Sequence, residues 1–141
     1  MVPHFDFHFN MMTEAERLAI PGIPPPYFDP APDAIYLPQG YVQGPGLEVA
    51  MGAHWVDVFS PEFNGGEFTK TMVLGTYNSR VVFYEPMITL DYLQSNQDVS
   101  MVIRQPEQYQ TPGYHPTSYK VLFEEKPSQI LVVLDGLVLR E

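Results

Sequence analysis

His4, Asp6 and His8 stand two residues apart in the opening segment His4-Phe5-Asp6-Phe7-His8-Phe9. Imidazole and carboxylate groups bind divalent transition metals and carry protons near neutral pH. In an extended strand successive side chains point to opposite faces, so the three polar groups share one face and Phe5, Phe7 and Phe9 the other. The chain has only 4 histidines, and this segment holds two of them. A metal centre needs three or four converging ligands, so one strand does not complete it. His54, in Gly52-Ala53-His54-Trp55, and Glu85, in Val81-Val82-Phe83-Tyr84-Glu85-Pro86, are the partners expected from elsewhere. The expected metal set is therefore His4, Asp6, His8, His54 and Glu85, holding a divalent transition metal. Cupin barrels build metal sites in a loosely comparable way, although their glycine-rich motifs are absent here.

The same residues have a structural reading. Strand alternation alone places any two residues at this spacing on one face, and such groups often serve as surface or internally hydrogen-bonded side chains. A metal-free reading also stands, with Glu85 or Asp6 as a general base beside a histidine in an aromatic-lined pocket. Against it, Glu85 would simply satisfy backbone or arginine donors where Pro86 ends a strand, with Arg80 and Arg104 as candidate partners. His115, within Pro112-Gly113-Tyr114-His115-Pro116-Thr117, is expected in an ordered loop away from the metal. Trp55, Phe83, Tyr84 and Tyr92 read as core or interface rather than a cofactor cage. No Gly-X-Ser-X-Gly elbow, phosphate-binding loop or dinucleotide-binding glycine pattern is present.

The elements that position these groups are mainly strands. Thr13 followed by Glu16 has the form of a capping box and predicts a short helix over about residues 14–20, stopped by Pro21-Gly22. From about residue 21 to 46 prolines recur among tyrosines and glycines, a composition that sustains neither a helix nor a central strand. This stretch reads as an arm ordered against the body or a neighbouring subunit. Strand signals follow at 47–51, 53–59, 69–77 and 80–84, with turn composition at Asn64-Gly65-Gly66 and Tyr77-Asn78-Ser79-Arg80. Thr89 is placed to cap a second short helix through Asp91-Tyr92-Leu93. Further strands are predicted at 99–104, 118–124 and 130–138, with a bulge or bend at Asp135-Gly136. The expected fold is a single mainly β domain over residues 1–141, α+β only through two short helices, forming an antiparallel barrel or sandwich.

Composition narrows the partners. A chain of 141 residues buries roughly two-thirds of its unfolded surface, so neither a disulfide nor a structural metal is needed for folding. A net charge of -10 with only 7 basic residues argues against nucleic acid and anionic membranes. No apolar run reaches membrane-spanning length, and Met1-Val2-Pro3-His4 lacks the basic and apolar start of a secretion signal. The absence of cysteine excludes thiolate chemistry. The content of 13% aromatic residues and 15 prolines against 17% charged residues leaves limited charged surface, which points to self-association. A small apolar ligand held in an aromatic pocket is a third class of function.

The segments Pro3 to Phe9, Gly52-Ala53-His54-Trp55, Tyr84-Glu85-Pro86-Met87-Ile88-Thr89 and Pro112 to Tyr119 together resemble a poorly characterised bacterial family. Its Thermus member is controlled by the sigma E and anti-sigma E envelope-stress system. The resemblance spans nearly the whole chain. It implies a β-rich, stress-associated protein forming a large symmetric homo-oligomer, a decamer, in an extracytoplasmic setting. It implies no established activity and no catalytic residues.

Overall fold

The computed structural model describes residues 1–141 and is mainly β, with antiparallel sheets and two short α-helices. The strands are β1 (His4–Asp6), β2 (Phe9–Asn10), β3 (Tyr41–Gln43), β4 (Ala53–Asp57), β5 (Lys70–Tyr77), β6 (Arg80–Thr89), β7 (Val99–Val102), β8 (Gly113–His115), β9 (Ser118–Glu125), β10 (Ser128–Asp135) and β11 (Val138–Arg140). The larger sheet runs β1-β6-β5-β4-β3, with β2 also on β6. A three-stranded sheet, β10-β9-β7, packs against it, and β8 pairs with β11 in a separate ribbon. The larger sheet stays open, so the architecture is sandwich-like and not a closed barrel.

Side chains of one face of the larger sheet form the core. Trp55, Met72, Leu74 and Tyr84 meet Ile103 and Tyr119, while Ile88 meets Leu93 and Val121. Phe9 and Phe7 pack against these clusters, so most of the opening phenylalanine face is core-directed. Phe5 is half exposed. Burial of each large apolar side chain contributes about 1.5–3 kcal/mol. Two buried polar groups on this face are paired with each other: Trp55 Nε1 donates to Thr76 Oγ1 at 2.8 Å.

Helix α1 (Glu14–Leu18) begins with the capping box, Thr13 Oγ1 accepting from Glu16 N and Glu16 Oε2 accepting from Thr13 N. Such a cap is worth about 1 kcal/mol. Helix α2 (Leu90–Gln94) starts where Thr89 Oγ1 accepts from Tyr92 N. The proline-rich stretch is tied to the body. Ile23 bridges Leu47, and the buried Asp29 accepts from Tyr27 Oη and from Asn78 N. It also supplies β3, which the prolines permit because β3 sits at the sheet edge.

Three expectations change. Residues 47–51 form no strand; Ala50 takes φ 58° and Gly52 φ 130°, a backbone course that breaks strand pairing. His115 lies in β8 rather than in a loop. The strand expected to stop near Pro86 continues to Thr89. Pro86 accepts from Phe7 N at 3.0 Å but has no N–H to return, and the ladder breaks at this point between β1 and β2. The two short strands are therefore one strand interrupted by a proline, with unchanged register on either side: Asp6 opposite Met87 and Phe9 opposite Tyr84.

Candidate metal centre

The outer face of the larger sheet carries a second, polar focus. The constant register of β1 and β2 brings His8 level with Glu85. On the other side, His54 pairs with Gly75 in β5, and Gly75 pairs with Phe83 in β6, two residues before Glu85. Imidazoles from two different strands thus reach one carboxylate on β6. Nε2 of His8 lies 3.4 Å from Glu85 Oε2, and Nε2 of His54 lies 3.2 Å from the same oxygen.

Gly75 and Phe83 build the floor that makes this approach feasible. A Cβ at Gly75 would fall inside the Phe83 ring, so only glycine lets that ring lie across β5. Phe83 is 0% exposed, and both imidazoles pack on it, with ring centroids 5.1 Å away for His8 and 5.3 Å for His54. The two histidine planes are perpendicular, at 90°. Glu85 is only 2% exposed.

The electrostatics are those of a buried anion between two bases. Burial alone would push the Glu85 carboxyl up, but the two histidines outweigh it and hold the carboxyl down at about 2. Contact with Glu85 raises His8, with burial opposing and Asp6 adding a smaller push upward. Arg17 of α1 works weakly in the other direction.

The contacts are close, yet Glu85 Oε2 and His8 Nε2 are buried without a hydrogen-bond partner of proper geometry. Converging atoms that do not bond one another are what a shared metal requires. Two ligand atoms about 2.1 Å from a tetrahedral metal lie about 3.4 Å apart, which matches the spacing found here. All three ligand atoms lie within 4.8 Å of one another. Two histidines and one carboxylate make a three-ligand set that leaves further coordination positions open.

His4 and Asp6, expected in the set, are not part of it. His4 Nδ1 faces Val2 O at 2.8 Å, its Nε2 lies 3.3 Å from Asp6 Oδ1, and its ring stacks edge-on against Phe68. Nδ1 is thus hydrogen-bonded locally, and Nε2 faces the Asp6 carboxylate and not Glu85. The physical reason is lateral: Glu85 offers a carboxylate opposite His8, whereas Thr89 and Met87 stand opposite His4 and Asp6.

Other expectations are placed as well. Arg104 pairs with Asp57 Oδ1 at 2.6 Å and stacks over Phe59, well apart from any role on Glu85. The Glu85 carboxylate has histidine neighbours instead of Arg80 or Arg104. His115 is buried at 8% exposure, with Nε2 2.8 Å from Thr111 O and its ring 4.3 Å from that of Tyr109. It is a satisfied structural histidine. Gly75 and Phe83 were not expected as parts of the site; a lone glycine inside the strand 69–77 was the available signal.

No family model, curated protein or solved structure matches this chain.

Proposed function

We propose that this protein binds one divalent transition metal through His8, His54 and Glu85 and presents it to a small ligand on the outer face of the larger sheet. One observation carries the reading: His8 Nε2, His54 Nε2 and Glu85 Oε2 converge within 4.8 Å of one another, with His8 Nε2 and Glu85 Oε2 buried and lacking a hydrogen bond of good geometry. A shared metal would satisfy all three groups at once, in place of the 3.2–3.4 Å contacts they make with one another. When bound, the metal supplies a Lewis acid with open coordination positions. The protein's own groups orient it: Phe83 holds both imidazole planes, and Glu85 supplies the negative charge. The metal-free alternative gains less support, because a carboxyl held at about 2 is a poor proton acceptor near neutrality.

The test is metal analysis of untagged protein after reconstitution with zinc, iron(II), manganese or cobalt. One equivalent bound by the native chain and lost in His54→Ala is the expected result. Less than about a tenth of an equivalent of every metal would overturn the reading.

A second reading concerns assembly and follows the family resemblance to a stress-associated homo-oligomer. Its specific support is the β8–β11 ribbon, where Tyr114 at 69% exposure pairs in register with Leu139 at 51%. We propose that copies of the chain associate through this ribbon. Light scattering coupled to size exclusion should give a mass several times 16.0 kDa, reduced by Leu139→Glu. A monodisperse monomer at micromolar concentration would contradict it.

A further inference from the structure

Beside the three ligands, on the same outer face, lies a hollow of about 190 Å³. Its inner wall is Val56, Val73 and Met87, and its outer wall includes Phe63 and Phe68. Register fixes how near it is to the centre. Val73 is the direct Cα partner of Glu85, while Val56 and Met87 stand two residues beyond His54 and Glu85 on their own strands. β4 and β6 are each antiparallel to β5 and so run in the same direction. Val56 and Met87 therefore lie on the same side of the cluster.

We infer that this hollow binds the apolar body of a small ligand, of about benzene size, whose anionic oxygen head completes the metal. The inference rests on the metal reading above and specifies its ligand class. Volume sets the size, since an apolar cavity of roughly 150 Å³ accepts benzene. Chemistry sets the polarity. The walls are aliphatic and aromatic, and the charge demand lies at one end, where a divalent metal held by a single carboxylate retains positive charge. A ligand with an oxygen anion at one end and an apolar body at the other meets both requirements. Glu62, also in the wall, keeps Oε2 buried without a hydrogen-bond partner.

His4 acquires a part in this arrangement. Its ring packs edge-on against Phe68 at 5.7 Å and thereby supports the hollow's outer wall. The two ends of the opening segment then flank one site: His8 at the metal and His4 behind the wall.

The test uses the full chain loaded with cobalt(II), whose visible absorption reports ligation, titrated with acetohydroxamate and with benzohydroxamate. The two probes share a metal-binding head and differ in the apolar body. Benzohydroxamate is expected to bind about tenfold tighter or more, beyond any preference of the free cobalt ion. In cobalt-loaded Val56→Phe or Met87→Trp, either of which fills the hollow, the preference should fall to within about twofold. Equal binding of both probes by the native protein, or a preference that survives filling, would overturn the hollow while leaving the metal reading intact. Absence of any cobalt spectrum in the native protein would instead overturn the metal reading on which the inference rests.

Discussion

The two ends of the opening strand make an instructive pair. His4 and His8 are the same residue type, lie on one strand path and pair with the same neighbour, β6. His4 has both ring nitrogens facing oxygens within two residues of it, a hydrogen bond to Val2 O and a contact with Asp6 Oδ1. His8 instead meets a carboxylate 77 positions away and, through it, His54 from two strands across. The difference lies wholly in what the neighbouring strands bring to each level. Opposite His4 stands Thr89, a helix cap; level with His8 stands Glu85, and two residues from it along β6 the Phe83 ring fills the gap at Gly75. The polar cluster is thus made by the sheet and not by the strand that carries its histidine.

The comparison breaks most sharply at the ligands themselves. Glu85→Gln, His8→Ala and His54→Ala are each expected to weaken metal binding by more than the 10–100-fold typical of outer-shell changes, measured by competition against a chromogenic chelator. Gly75→Ala comes next. It displaces Phe83, costs about 1–3 kcal/mol by overpacking in chemical denaturation, and lowers metal affinity about 10–100-fold because both imidazoles lose their floor. An unchanged affinity would show that Phe83 does not orient the ligands.

Proton competition gives a smaller, graded effect. Contact with Glu85 raises His8 above the ordinary imidazole value of 6.5. In the metal-free protein the His8–Glu85 contact therefore stabilises fully below that value and is lost as pH rises through the raised one. Glu85 has the opposite sign: its contribution is present above the ordinary carboxyl value and disappears as pH falls toward about 2. Metal needs neutral His8, so its apparent affinity should fall by about tenfold per pH unit below the His8 value. A flat profile between pH 5 and 8, by calorimetry, would remove His8 from the ligand set. The smallest effect belongs to the other end. His4→Ala and Asp6→Asn should change metal affinity by no more than about twofold and stability by no more than about 1 kcal/mol, as for a partly exposed polar contact.

Much of the local structure was legible from the chain. The Thr13–Glu16 box and the Thr89 cap depend on residues three apart, and both helices form where those signals stand. The β-rich class followed from strand periodicity in the same way. What depends on strand partners was less legible. Pro86 reads as a terminator, but its effect hinges on which neighbouring strand its missing N–H would have served, and only β1–β2 is interrupted. Residues 47–51 have strand composition, but their course is set by positive φ at Ala50 and Gly52. At the site, alternation grouped His4, Asp6 and His8 without distinguishing them. His54 and Glu85 could be nominated by residue type, but the convergence on His8 alone comes from the register of the β1–β2 path, β6, β5 and β4 and from one glycine.

The central claim, one metal at the His8 end and none at the His4 end, is tested most directly by anomalous diffraction from crystals of zinc-reconstituted protein. The account predicts a single zinc peak about 2.0–2.2 Å from the Nε2 atoms of His8 and His54 and from a Glu85 carboxylate oxygen. A peak between His4 and Asp6, or no peak at the three ligands in zinc-saturated crystals, would contradict it.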